Sequence, residues 1–264
     1  MKCFKAFALL TALLLASEAS AVDAGTAEVQ RIATREGVVV PVFSYWRPDA
    51  VANVVLFSGG GGGYGQIGED GWPTSGNFLI RTGRHWATYR FNLFMVGRPS
   101  DGIDLALGAV RTGAKHAADN VAVFRAIKQR SALPLWVVGT SMGTISAAAA
   151  ATNDSEGLIA GVVLTSSIVA YKVPGAIPTQ NLEKIRVPVL LLHHAEDACW
   201  ACRPDEVKPL ARALTSAPVK KTIFVTGGDG ATGNPCEPLH HHGFVGMQDE
   251  AVDRIAAWIL NPSE

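Results

Sequence analysis

The sequence predicts an α/β protein built on a doubly wound, mostly parallel sheet with helices on both faces and no large cap domain. Three observations carry this reading. Short, nearly continuous apolar runs recur at 51–57, 91–96, 135–138, 159–164, 187–192 and 222–225, as expected of strands buried on both faces. Helical patterns at 119–129, 143–152, 204–214 and 249–260 follow or separate them, and right-handed crossovers place such helices on both faces of a parallel sheet. Several runs end directly in glycine, histidine or acidic clusters, which is where sheets of this kind bind ligands.

Taken in order, the chain begins with Lys2 and Lys5 ahead of an apolar run at 7–16 that is too short to span a bilayer and ends at Ala19-Ser20-Ala21. This is the pattern of a cleaved signal peptide over residues 1–21. It predicts a periplasmic or secreted protein, with no membrane association after cleavage, and one domain over 22–264. Residues 28–35 and 38–46 read as two strands joined at Glu36-Gly37, an antiparallel hairpin at a sheet edge. The 23 basic and 23 acidic side chains balance, so no electrostatic footprint for nucleic acid or an anionic membrane is present. A small-molecule partner is expected, and oligomeric state is left open.

The run at 51–57 enters Ser58 and five consecutive glycines, 59–63. Such a loop leaves backbone N–H groups open to approach. It lacks the Gly-Lys-Ser/Thr ending of a phosphate loop, so an oxyanion site is the better reading. The run at 135–138 enters Gly139-Thr140-Ser141-Met142-Gly143 and then an alanine-rich helix. Gly-x-Ser-x-Gly alone is a weak motif. Between a strand and a helix it describes a sharp turn that lifts a serine hydroxyl above the sheet, with glycines where side chains would collide. Ser141 is therefore the candidate nucleophile, rather than an inert serine in a glycine turn. Gly60 and Met142 are the candidate oxyanion donors, with Gly61 the nearest substitute for Gly60.

A serine nucleophile needs a base, and the base needs a carboxylate. After the run at 187–192 come His193-His194-Ala195-Glu196-Asp197. Asp197 is the natural acid and Glu196 the alternative. The preceding strand ends in Thr165-Ser166-Ser167, with no carboxylate to compete. After 222–225 come His240-His241-His242 before the last helix. Three adjacent histidines cannot easily direct their rings at one ion, so neither a metal nor another cofactor is expected. Cys199, Cys202 and Cys236 remain after cleavage. A Cys199–Cys236 bridge is preferred, because it would tie the acid loop to the histidine loop. Cys199-Trp200-Ala201-Cys202 has the spacing of a redox motif, but it follows a late strand rather than opening a helix after an early one.

Elbow, glycine loop, acid and histidine together resemble the α/β-hydrolase superfamily, of the dienelactone-hydrolase and esterase kind, over essentially all of the chain after residue 21. Segments 76–81, 98–101 and 236–244 are similar to a group of exported bacterial members. The resemblance implies a serine hydrolase acting on a small ester-like substrate through an acyl-enzyme. It also implies that His242 is the base, because His242-Gly243-Phe244 before the final helix resembles the histidine loop of these hydrolases; His241 is the close second. Members often carry a lid before the acid strand. Here only 168–185 is available, with Pro174 and Pro178 in it, which predicts an open pocket with Tyr64, Trp72, Phe78 and Tyr171 as candidate lining aromatics. Two other classes of function stay open: a non-catalytic binding protein on the same fold, and a thiol-disulfide protein using Cys199 and Cys202.

Overall fold

The computed structural model describes residues 25–263. The segment read as a signal peptide lies outside them. Eight strands form one sheet: β1 (Thr26–Arg35), β2 (Val38–Trp46), β3 (Ala52–Phe57), β4 (Phe91–Val96), β5 (Leu135–Thr140), β6 (Gly161–Thr165), β7 (Val189–His194) and β8 (Lys220–Val225). Their spatial order is β1-β2-β4-β3-β5-β6-β7-β8. β1 and β2 form the antiparallel edge hairpin, β2 joins β4 antiparallel, and β3 through β8 run parallel. Gly37 turns the hairpin at φ 68°.

The helices are α1 (Phe78–Arg81), α2 (Gly83–Trp86), α3 (Gly108–Arg111), α4 (Ala114–Arg130), α5 (Met142–Thr152), α6 (Pro204–Val207), α7 (Leu210–Ala213) and α8 (Gln248–Leu260). None of the described helices is long and apolar enough to cross a membrane. Alternation along the central strands feeds two cores, because successive side chains point to opposite faces. Val55 and Phe57 pack with Phe124 of α4 and Ala147 of α5 on one face. Val54 and Leu56 pack with Phe78 of α1, Trp86 of α2 and Ile255 of α8 on the other. Each fully buried aliphatic or aromatic side chain contributes about 1.5–3 kcal/mol, so the apolar central strands supply the main drive for this two-sided layering.

One difference from the sequence reading has a physical cause. The segment 204–214 is not one helix. Pro209 stands between α6 and α7, and a proline has no N–H for the hydrogen bond that would join the two turns. As expected, the region 168–185 contains only the single 3-10 turns Ile177–Thr179 and Leu182–Lys184, and among the described residues no cap domain covers the strand ends.

Candidate active site

At the end of β5 the chain makes its sharpest turn. Ser141 adopts φ 52° and ψ −127° and caps α5, a backbone region that costs a non-glycine residue of order 1–3 kcal/mol. The flanking glycines are demanded by backbone neighbours. A Cβ on Gly139 would lie 2.5 Å from the Gly143 carbonyl oxygen, and one on Gly143 only 2.0 Å from that of Phe57. The strained turn is held from both sides: Ser141 N–H donates to the Thr165 carbonyl at 3.1 Å, and Thr144 N–H donates to the Ser141 carbonyl at 2.9 Å.

Ser141 lines a cavity of about 480 Å³ together with Gly60, Gly61, Met142 and His242. Gly59 packs against Ser141, since a Cβ there would lie 3.0 Å from Ser141 Cβ. Met142 is the first residue of α5, so its N–H belongs to the first turn, which has no carbonyl partner within the helix. The Gly60 and Gly61 N–H groups donate to no other described residue.

Asp197 and His242 meet at the far ends of β7 and β8. His242 Nδ1 lies 2.9 Å from Asp197 Oδ2, with both side chains buried. Cys199 N–H donates to Asp197 Oδ1 at 2.9 Å, so both carboxylate oxygens are occupied. His242 Nε2 has no partner among the described residues, and no hydrogen bond joins it to Ser141. Such contacts are often long before substrate arrives.

The neighbouring histidines are engaged elsewhere. His241 stacks on His194 with ring centroids 4.3 Å apart and faces the Glu196 carbonyl rather than Asp197. His193 is buried and accepts the Ser167 N–H at 3.0 Å; desolvation, with a smaller effect of His242, pushes its pKa down to about 3. His194, Glu196 and His241 offer potential metal-ligand atoms within 4.8 Å of one another. Both nitrogens of His194 are already used, by the Glu196 N–H and the Gly227 carbonyl.

Cys199 and Cys236 form a disulfide, with Cα atoms 4.5 Å apart, and join the acid loop to the histidine loop. Cys202 is a free, buried cysteine, and burial pushes its thiol pKa well up, with a smaller contribution from Asp197. Of the four candidate aromatics, only Phe78 lines the cavity. Trp72 packs against Phe43 and Tyr45, Tyr64 belongs to the core, and Tyr171 is 75% exposed. Two residues given no role in the sequence reading support the histidine loop. Ser166, at φ 45°, donates its hydroxyl to the His242 carbonyl at 2.7 Å. Arg81 Nη2 donates to the Gly243 carbonyl at 2.5 Å. Both act on carbonyls, which leave no side-chain pattern; the one signal was the unexplained likeness of segment 76–81 to exported relatives.

No family model and no curated protein sequence matches the chain. Solved structures do. Dienelactone hydrolase from Anabaena variabilis superimposes with a TM-score of 0.64 at 12% identity, over 91% of this chain and 100% of that one. The chain has the α/β-hydrolase fold. An esterase of Pyrococcus furiosus shares this fold with a TM-score of 0.62 at 13% identity, over 89% of this chain and 91% of that one. A cold-adapted esterase from an Arctic intertidal metagenomic library gives 0.58 at 14% identity, over 88% and 92%. In the α/β-hydrolase fold the turn after β5 and the ends of β7 and β8 form one rim, and Ser141, Asp197 and His242 stand on it.

Proposed function

We propose that the protein is an exported serine hydrolase that cleaves a small ester-like substrate through an acyl-enzyme. The observation that carries this reading is the buried Asp197–His242 hydrogen bond beside a cavity that also holds Ser141 at a strained strand–helix turn. An imidazole that donates its Nδ1–H to a carboxylate presents Nε2 as the basic nitrogen. Ser141 Oγ attacks the substrate carbonyl while His242 Nε2 takes its proton. The tetrahedral oxyanion is met by N–H groups of the glycine loop, Gly60 or its neighbour Gly61, and of Met142. The proton on His242 goes to the leaving group, and water then repeats the sequence on the acyl-enzyme. Asp197 holds the ring and stabilises its charged form.

Several features favour this over the two other classes. A binding protein needs neither a strained serine nor a carboxylate-paired histidine beside it. A dithiol mechanism needs an accessible thiolate, whereas Cys202 is buried with a raised pKa and Cys199 is bonded to Cys236. Export is supported by the basic and apolar start of the chain and by a disulfide, which persists in oxidising compartments. The test is labelling by a fluorophosphonate together with turnover of p-nitrophenyl acetate. Both are expected in the wild type and lost in Ser141→Ala; labelling that persists in Ser141→Ala would overturn the assignment.

A further inference from the structure

Arg111, the last residue of α3, is a buried cation that the mechanism above does not use. It is 2% exposed, and among the described residues no carboxylate hydrogen-bonds to its guanidinium. Burial, reinforced by the nearby Arg98 charge and opposed in smaller part by the Asp104 carboxylate, pushes its pKa down to about 10, so it remains cationic at neutral pH. A buried charge without a contacting counter-ion is costly unless dipoles surround it. Arg111 is met by carbonyl and hydroxyl oxygens: Nε donates to Leu105 O at 2.6 Å, Nη1 to Ser146 Oγ at 2.8 Å, and Nη2 to Gly60 O at 2.9 Å and Ser58 O at 3.4 Å. One guanidinium thus joins the glycine loop to α5, the helix that follows Ser141.

The conformation of the loop gives this contact a direction. Gly62 N–H donates to Gly59 O at 3.0 Å, closing a four-residue turn. Gly60 has φ 52° while Gly61 stays outside the positive region, the pattern of a type II′ turn. In such a turn the central peptide stands across the turn, with its carbonyl on one face. Because the peptide is trans, its N–H points to the opposite face. Gly60 O points at Arg111, which does not line the cavity; Gly60 and Gly61 do.

We propose that Arg111 is a positioning residue for the oxyanion site: by holding the Gly60 carbonyl on the buried face of the turn, it aims the Gly61 N–H at the cavity. Its charge polarises the same peptide toward an anion that exists only in the transition state, which raises kcat rather than ground-state binding. This inference rests on the serine-hydrolase reading and assigns the loop donor to Gly61.

The experiment measures kcat and KM for p-nitrophenyl acetate and affinity for a boronic acid, with thermal melting as the control for folding. In Arg111→Met, kcat is expected to fall about 100-fold with KM changed less than about threefold. Boronate affinity should fall in parallel. Arg111→Lys keeps the charge but cannot span Ser146 and both loop carbonyls, so it should be intermediate. Gly61→Pro removes the assigned N–H without touching Arg111, and should lose about as much kcat as Arg111→Met. If Arg111→Met does not fold, Arg111→Lys carries the test of Arg111 and Gly61→Pro that of the donor, and a folded Arg111→Lys with wild-type kcat would refute the role of Arg111. A folded Arg111→Met or Gly61→Pro with kcat within about threefold of wild type, or a change confined to KM, would refute the proposal. Wild-type protein whose Ser141 resists a fluorophosphonate would sink the hydrolase reading itself; labelled wild type with unaffected variants sinks only the role of Arg111.

Discussion

Replacing Cys199 and Cys236 together by serine removes the covalent link between the loop carrying Asp197 and the loop carrying His242, and leaves Cys202 without a partner. The bridged residues are 37 apart in sequence. In the unfolded chain a closed loop of that length lacks conformational freedom equivalent to about 4 kcal/mol at 25 °C. For a domain of this size each kcal/mol moves the melting temperature by about 2–4 °C, so a fall of about 10 °C is expected. Urea unfolding measures the free energy directly and should show a lower midpoint. Activity should fall less steeply than for loss of a triad residue, by about tenfold, since loosening of the acid loop misplaces the imidazole. Ser166 and Arg81 hold the histidine loop independently of the sulfurs. A double-serine variant with the midpoint and melting temperature of the wild type would refute the reasoning.

Two further outcomes are expected. Asp197→Asn preserves shape but takes away the acceptor that fixes the His242 tautomer, so kcat for an ester should drop by about four orders of magnitude, with melting nearly unchanged; steady-state kinetics with an active-site titration checks this, and a loss under tenfold would count against Asp197. Stability should fall on acidification, because burial pushes the pKa of His116 down to about 4 and that of His193 down to about 3, against an ordinary 6.5. Both folded-state values lie below the unfolded one, so this stability is full above pH 6.5 and is lost as pH falls toward 4. Each histidine adds a slope approaching about 1.4 kcal/mol per pH unit, and His116→Gln should remove one share; urea midpoints from pH 7 to 5 that fall equally in both proteins would contradict this.

The central strands and the elbow were legible because their causes are local. An unbroken apolar run has few places to go but a doubly covered sheet, and Gly139 and Gly143 record collisions with nearby backbone that any reader of the motif can anticipate. Asp197 and His242 were legible as strand-end residues, although only packing separates His242, on the carboxylate, from His241, stacked on His194. Pro209 shows a local signal that was present but outweighed by the apolar periodicity around it. Arg111 and Ser166 were not legible at all. The contacts that link them to the site are with main-chain carbonyls 51 and 76 residues away, and a carbonyl carries no letter in a sequence.

The helix that follows Ser141 also limits how this molecule can change. Most of α5 is buried, including Ile145 and a run of alanines from Ala147 to Ala149, and in so crowded a position even one added methylene is felt. Under the proposed function, adaptation to new acyl groups, in nature or in the laboratory, has little room there. The tolerant ground is the rim contributed by other segments, such as Val173, Trp200 and Glu237, where a side chain can be exchanged without moving the serine. A selection for altered substrate range should therefore return substitutions in those loops and almost none in α5.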